Sequence, residues 1–318
     1  MRDRAGSRFG ASAAAAVLGA VAILGLTLAG CTRAIVPLSF VTRTPPGPTP
    51  APTRTPGPTF IAISGNPTGH PYAVVWVPAE SSLPVQQPAG IPGLQVGTLA
   101  PDQRGIYLTG NSTLLGSSLW VEVLAPGLAG WVNSWYLTED VSPADFCTDP
   151  QVVALLDGFG EAILSRDGRA LASMTSPRRG LAIRYDWWNP EIILPPQDLQ
   201  GIYHNETSIH WGASDTPGSP VEGTFDQVVS PLLEDVFGAE SEVTCNSLRT
   251  GTTSREVRWP GEYATLNFYA FHRPGGDPGS QLTWHTWAVG IEYVDGRPCV
   301  TVLVHYRAEI TPASGSGH

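Results

Sequence analysis

The sequence predicts a small all-β barrel followed by an α+β domain, in which helices pack on a curved antiparallel sheet. Three observations support this fold class. Short strands alternate with turn residues over 69–141, a capped amphipathic helix begins near Thr148, and alternating strands fill the C-terminal part of 142–310. A Pro- and Thr-rich linker within 31–68 cannot bury a core and is expected to be disordered.

Five short strands in about seventy residues favour a small barrel. Within the fourth, alternation places Trp120 and Glu122 on one face and the neighbouring valines on the other. Pro101-Asp102 and Pro126-Gly127 supply turns. The strands are predicted at Ala73–Val77, Leu94–Leu99, Arg104–Leu108, Leu119–Val123 and Gly130–Leu137.

The second domain is predicted to begin with a long helix. Its start has a capping pattern at 148–151, and we expect Gly168 to end it. A shorter helical turn follows at 170–174. Thr224 to Gln227 cap another helix that ends at 237–238, and Pro231 should kink or divide it. The buried stripe of the long helix is predicted as Val152, Leu155, Leu156, Phe159 and Ile163.

The C-terminal strands are predicted at Ala264–Phe271, Thr283–Tyr293 and Val300–Arg307, and Asp295-Gly296 is a two-residue hairpin turn between the last two. In the register that this turn sets, apolar residues face one another on one side. The expected pairs are Ile291 with Val300, Val289 with Val302, and Trp287 with Val304.

The N-terminus carries a secretion signal. Arginines precede an apolar run, and the run ends in Leu28-Ala29-Gly30-Cys31. This ending resembles the lipobox of bacterial lipoproteins. The resemblance implies removal of residues 1–30, a diacylglycerol thioether on Cys31, further acylation such as palmitate, and an extracytoplasmic protein anchored to the membrane. A transmembrane anchor and a soluble secreted protein are the two alternatives.

The Pro- and Thr-rich part of 31–68 is predicted to be a stalk, and 311–318 a flexible tail. The formal charge is −10. Because an acidic chain repels phosphate backbones, nucleic acid is not expected as a partner. It also repels anionic lipids, so only the acyl chains should hold it to the membrane.

The exported compartment permits disulfides. Cys147 and Cys245 lie in polar, turn-rich surroundings, whereas Cys299 lies beside an apolar strand. We therefore predict a Cys147–Cys245 bridge and a free Cys299. A catalytic cysteine is the alternative, but no nearby histidine supports it.

The 69–141 region resembles the bacterial SH3 domain (SH3b). The similarity runs through 83–90, 96–99 and 119–123 and ends in Gly-Trp-Val-Asn-Ser-Trp-Tyr-Leu at 130–137. It implies an SH3-like barrel whose aromatic groove binds a peptide or a cell-wall stem peptide. Gln86 and Pro88 replace the arginine and glycine usual in the family. Trp131 is assigned to the core, and the expected groove residues are Trp76, Trp120, Trp135 and Tyr136.

The layout of 142–310 is similar to the nuclear-transport-factor-like cone fold that includes SnoaL-type cyclases. The similarity is one of layout, without a diagnostic motif. Because members of that group include enzymes, binding proteins and scaffolds, it predicts no particular chemistry.

Possible catalytic or metal-binding groups were weighed in turn. In the expected register His285 lies opposite Tyr306 and His305 opposite Thr286, so the histidines point to different sides and share no metal. His204, Asn205, Glu206 and His210 fit a capped turn better than a zinc site. Asp186 and Glu191 would need a defined separation to act as a glycosidase pair, and the tryptophans at 187, 188 and 211 could pack or bind sugar. We assign no catalytic residue, metal or cofactor.

The first functional hypothesis is a non-enzymatic surface lipoprotein whose SH3b module binds cell wall or a peptide. The second is an envelope enzyme with a pocket in the C-terminal cone, which a cavity lined by His285 or His305 and a carboxylate would favour. The third is a structural scaffold, which a filled cone would favour.

Overall fold

The structure, a computed structural model, describes residues 68–90, 93–213, 219–251, 256–275 and 283–308. The predicted signal peptide, Cys31, almost all of the predicted stalk and the predicted C-terminal tail lie outside these residues. All described residues belong to one contact unit, Pro56–His318. It has two parts, which we call the β-lobe (68–139) and the α+β lobe (142–308).

The β-lobe is one antiparallel sheet with strand order β3-β2-β6-β5-β4-β1-β7. Its strands share a single buried cluster that includes Val85, Ile106, Val123 and Val132, so the sheet curls around its own core. The strands are β1 Thr68–Val74, β2 Leu83–Gln87, β3 Leu94–Leu99, β4 Ile106–Leu115, β5 Ser118–Ala125, β6 Leu128–Asn133 and β7 Leu137–Glu139.

Two details of this lobe differ from the prediction. The expected strand 130–137 is interrupted by a 3₁₀ turn, Ser134–Tyr136, because the side chain of Asn133 accepts a hydrogen bond from the Trp135 backbone N–H and caps it. Trp131 is only half-buried, since its neighbour Val132 takes the inward position on β6. The assignment of Trp131 to the core was wrong.

The α+β lobe contains six short or medium helices and two 3₁₀ turns among the described residues. Its elements are α1 Pro143–Thr148, α2 Pro150–Leu164, α3 Gly168–Met174, β8 Leu181–Arg184, β9 Ile192–Leu194, α4 Pro196–Leu199, Ile202–His204 (3₁₀), β10 Ile209–Ala213, β11 Pro220–Gly223, α5 Phe225–Val228, α6 Ser230–Phe237, β12 Glu242–Cys245, Gly261–Tyr263 (3₁₀), β13 Asn267–Arg273, β14 His285–Val294 and β15 Arg297–Arg307.

The helix caps largely follow the sequence. The capping box expected at 148–151 was wrong: Asp149, one residue after Thr148, caps α2 by accepting from the Gln151 backbone N–H. Thr224 with Gln227 does form a capping box, on α5. Pro231 lies in the first turn of α6, so the helix is divided as expected. Gly168 does not end α2 as predicted, because α2 stops at Leu164. Instead it opens α3, whose N-terminus is capped by the Asp167 carboxylate.

The main sheet of this lobe is mixed, with the order β12-β13-β14-β15-β8-β9. The expected antiparallel arrangement holds except that β8 runs parallel to β15. Its central hairpin turns at Asp295-Gly296, where both residues have positive φ, +52° and +71°. This is the geometry that a two-residue hairpin requires.

A bulge in that hairpin changes the predicted register. Ile291 pairs with Val300 as expected, but Gly290 pairs with Val302, so Thr301 is an extra residue on β15. Beyond the bulge Trp287 pairs with His305 and not with Val304. Each expected pair beyond Ile291–Val300 was therefore wrong by one residue.

The main sheet is covered on both faces. One face, with Trp287, Val289 and Leu303, packs against α2 and α6. The opposite face, with Val302 and Tyr306, packs against Val75 and Trp76 of the β-lobe. The two lobes thus share a continuous apolar cluster.

A disulfide joins Cys147 to Cys245, as predicted, with their Cα atoms 5.9 Å apart. It connects the end of α1 to the edge strand β12. Cys299 is free and half-buried, and burial raises the pKa of its thiol. None of the helices in the described ranges combines the length and hydropathy needed to cross a membrane.

Candidate functional site

An aromatic cavity of about 740 Å³ opens on the β-lobe. Three of the four residues predicted for the groove line it: Trp76, Trp120 and Tyr136. The fourth, Trp135, is not part of the lining. We call this cavity the aromatic groove.

Strand geometry explains why these side chains meet. Trp120 on β5 pairs directly with Asn133 on β6, so the two side chains share a face. On the same face Gln86 of β2 pairs with Trp131. The alternate residues, Val121, Val123 and Val132, point into the core. The groove therefore lies mainly on the side of the sheet opposite the core, where Pro84 and Leu115 add apolar surface.

Trp76 holds its place through contacts with the α+β lobe. It has a left-handed backbone, φ +59°, which is costly for a bulky residue. Its backbone N–H donates to the Glu262 carbonyl at 2.7 Å, and its indole Nε1 donates to Glu191 at 3.1 Å. The guanidinium of Arg179 lies 4.8 Å from the centre of its ring. One wall of the groove is thus fixed by the second lobe.

Trp135 also contacts Arg179, the residue that lies against the ring of Trp76. The Arg179 guanidinium lies 5.5 Å from its ring centre, and Arg179 donates to the backbone carbonyls of Trp135 and Leu137. Arg179 is also paired with Glu292, and both side chains are almost completely buried. Burial lowers the pKa of Arg179, but a guanidinium starts so far above neutrality that it stays charged. Trp135 therefore packs at the junction of the lobes.

The lining of the groove is uncharged at every residue that the structure describes. Its most buried polar group is the Gln86 side chain, 8% exposed. Within the described residues its Oε1 has no hydrogen-bond partner. A buried acceptor without a partner costs free energy.

The second cluster is the histidine pair on β14 and β15. Because of the bulge, His285 and His305 share one face, and His285 Nδ1 lies 3.4 Å from His305 Nε2. The expectation that they point to different sides was wrong. The turn was correctly predicted, and the one-residue shift arises in the strand.

Each ring nitrogen of the pair has a polar partner. His305 Nδ1 faces the Tyr185 carbonyl at 2.9 Å and must donate, so in neutral His305 the Nε2 atom accepts. His285 Nε2 faces the Asp235 carboxylate at 2.7 Å. His285 is thus held between a carboxylate and the His305 ring.

The burial and contacts of the histidine pair indicate a structural role. His305 is 1% exposed and stacks on Trp287 with ring centres 4.7 Å apart. Burial, reinforced by the electrostatic interaction with His285, lowers the pKa of His305 to about 3. Both its nitrogens already have partners, so a substrate would have to displace one of them. In the described ranges no three His, Cys, Asp or Glu side chains are arranged to bind a metal ion.

The remaining candidates all have structural partners. Asp186 accepts a bidentate pair from Arg307 and is fully buried. Glu191 accepts from Trp76 and Tyr263. These bonds place the two carboxylates in two different hydrogen-bond networks.

The polar residues at 204–210 and the tryptophans at 187, 188 and 211 also have structural roles. Asn205 forms the turn expected of it, accepting from the Thr207 backbone N–H at 3.0 Å. His210, largely exposed, faces Glu222 across the β10–β11 hairpin. Trp211 is buried with its indole N–H on the Gly223 carbonyl. Trp187 and Trp188 are half-buried and pack edge to face.

Sequence reasoning missed the residues that brace the groove from far along the chain. Glu191, Arg179 and Glu262 lie far from Trp76 in the sequence, and no local pattern around them predicts a contact with it. Gln86 stood within the SH3b-like segment, and its replacement of the usual arginine was the available signal. No family model matches this chain, and no curated protein or solved structure does either.

Proposed function

We propose that this protein is a non-enzymatic, lipid-anchored extracytoplasmic protein that binds a cell-wall peptide through the aromatic groove. In this proposal the β-lobe is an SH3b-type module, the α+β lobe supports it, and the Pro/Thr stalk holds both away from the membrane. The observation that carries the proposal is the convergence of Trp76, Trp120 and Tyr136 on one cavity.

The chemistry of the groove supports ligand binding. Its volume of about 740 Å³ is in the range of ordinary small-ligand sites. Aromatic rings supply large contact areas at low cost in side-chain entropy, which is why they are common anchors in recognition sites. Pro84 and Leu115 extend the apolar floor.

The position outside the cell rests on Cys31 and the residues before it. One acyl chain alone binds a membrane marginally, whereas two or more give stable anchoring. The proposed diacylglycerol thioether meets that requirement. If it is present, the mature protein begins at Cys31 and carries fatty acid, which intact-mass measurement of the purified native chain can read directly. A chain that begins upstream of Cys31 would refute the anchor.

The two alternative functions make different demands on the α+β lobe. An enzyme requires accessible catalytic groups, but the His285–His305 pair lies in the interior. The space between α2 and the sheet is filled by Phe159, Trp287 and Leu303, all fully buried. This filling favours a supporting role for the lobe. A purely structural scaffold would leave the groove without a ligand.

The decisive experiment is sedimentation of the full chain with purified peptidoglycan. Ser82 is exposed and lines the groove, so Ser82→Trp should block it without removing a core residue. Ser117→Trp, exposed on the β4–β5 turn and outside the lining, is the matched control. We expect at least a tenfold loss of binding for Ser82→Trp and none for Ser117→Trp. Equal binding by both variants would refute the groove.

A further inference from the structure

We propose that an apolar segment at 60–63 binds to the tip of the β4–β5 hairpin as an added strand on β4. The segment, Phe-Ile-Ala-Ile, lies between the Pro- and Thr-rich stretch and Thr68, the first residue of β1. We call residues 112–121 the hairpin tip. The inference concerns a surface of the β-lobe and does not depend on what the aromatic groove binds.

The hairpin tip carries large apolar side chains that are exposed. Leu114 on β4 is 67% exposed, and Leu119 on β5 is 45% exposed. The two residues pair directly across the hairpin, so their side chains share a face. Val121, two residues after Leu119, lies on the same face and belongs to the core of the β-lobe. The two leucines therefore continue the core-facing surface beyond the end of the core.

The backbone of β4 has an open edge at the same place. β5 pairs with one edge of 112–115. On the other edge β1 pairs with β4 at Ile106 and Leu108, and no strand among the described residues pairs with that edge beyond Leu108. An open edge presents unpaired N–H and C=O groups that readily accept a further strand.

The direction of β1 brings the apolar segment to this edge. β1 runs antiparallel to β4 with Thr68 opposite Leu108, so the chain before Thr68 approaches from the side on which β4 continues to Leu114. Leu114 is six residues beyond Leu108, and six residues before Thr68 is Ala62, within the apolar segment. Relative to β5, β4 has two extra residues between Leu108 and Ser112. A shift of two residues still keeps the match within 60–64.

The composition of the segment fits this surface. Phenylalanine and isoleucine favour strands that pack against an apolar face. Neither 55–69 nor 105–121 contains a charged residue, so contact between them removes no charge from water. A short tether also gives the segment a high effective concentration at the tip, which a lipid surface or a second copy of the chain lacks.

An added strand would connect the stalk to the aromatic groove. Leu115 and Ser118, on the other face of the hairpin tip, line the groove. The segment would hold the tip from its outer edge, and Thr59, the residue before the segment, would lie close to the groove. The stalk would therefore leave the β-lobe beside the groove.

Photo-cross-linking of the full chain tests the contact. p-Benzoylphenylalanine replaces Leu114, whose exposure means that the replacement removes no core contact. After irradiation we expect mass spectrometry of the digested monomer to show the peptide that contains 60–63 as the main cross-linked product. The same photoreactive residue in place of Leu94, 62% exposed on β3 at the far end of the sheet order, is the control and should not capture this peptide.

A pair of charged variants tests the nature of the contact. Ile61→Asp with Ile63→Asp should lower the cross-linking yield at least fivefold and lower the urea midpoint of unfolding. Thr49→Asp with Thr53→Asp adds the same charge to the stalk and should change neither value. Equal yields in the two double variants would refute an apolar contact by the segment.

The other possible occupants of the tip give different products. Irradiation is repeated with phosphatidylcholine vesicles, and the products are separated by size. A cross-linked dimer in place of the internal product would assign the tip to a second copy of the chain. Cross-linking to lipid in place of the segment would assign it to the membrane. Each of these results, or the absence of any peptide that contains 60–63, would overturn the inference.

Discussion

The indole N–H of Trp76, in the β-lobe, donates a 3.1 Å hydrogen bond to the carboxylate of Glu191, 115 residues further along the chain. The same Glu191 oxygen accepts from the Tyr263 hydroxyl. Burial raises the pKa of Tyr263, so this hydroxyl stays protonated and remains a donor at any ordinary pH. Glu191 thus links a groove wall to the core of the second lobe.

Glu191→Ala should therefore weaken both stability and binding. It leaves two donors, in Trp76 and Tyr263, without their acceptor, at a cost of about 1–3 kcal/mol. Trp76 would also lose its anchor, so we expect weaker peptidoglycan binding at temperatures where the variant is still folded. Glu206→Ala, at an exposed loop position, is the control. Urea unfolding and sedimentation measure the two effects, and unchanged binding would separate Glu191 from the groove.

The buried Arg179–Glu292 pair should be costly to break from one side. Arg179→Met leaves the Glu292 carboxylate buried without its cation, and such changes cost about 3–5 kcal/mol. The double variant Arg179→Met, Glu292→Met removes both charges, so it should recover a large part of that loss. Denaturant midpoints of the two variants measure the difference. A double variant less stable than the single one would contradict this account.

Local signals in the sequence predicted much of the fold. The cap at Thr224 and the turn at Asp295-Gly296 are short-range features, because each depends on hydrogen bonds or φ angles within a few residues. The Cys147–Cys245 pair followed from elimination among three cysteines and the environments of each. These features need no knowledge of the rest of the chain.

The arrangement of the histidine pair could not be predicted from the sequence of the hairpin alone. The turn was right, yet the bulge at Thr301 shifts the strand by one residue and reverses which faces the side chains occupy. The bulge lies beside Gly290, where an added Cβ would come within 3.1 Å of the Trp259 ring. Trp259 is distant in sequence, so nothing near the hairpin predicts the shift. For the same reason, the contacts that hold Trp76 in place could not be predicted from the sequence near it.

The disulfide should contribute substantially to stability. It joins residues separated by 98 positions, and loop-closure entropy for such a loop corresponds to about 4–5 kcal/mol. We expect the Cys147→Ala, Cys245→Ala double variant to lose about 2–5 kcal/mol of unfolding free energy. Cys299→Ala, at the free cysteine, is the control and should change stability by less. A reducing agent should lower the wild-type midpoint and leave that of the double variant unchanged.

His305 should make stability depend on pH. Its pKa is about 3 in the folded chain and about 6.5 when unfolded. Between these values the unfolded chain binds a proton that the folded chain excludes, so stability falls as pH decreases from about 6.5 toward 3. For one proton the slope approaches about 1.4 kcal/mol per pH unit.

His305→Asn tests this directly, because asparagine can still donate to the Tyr185 carbonyl but does not titrate. We expect it to be less stable than the wild type at pH 7, since the stacking on Trp287 is lost. Its unfolding free energy should also fall less steeply between pH 6 and about 5, above the range in which most carboxylates titrate. The difference in slope isolates His305 from the acidic residues, which are the same in both chains. Parallel pH profiles for the two proteins would show that His305 takes up its proton in the folded state as readily as in the unfolded one.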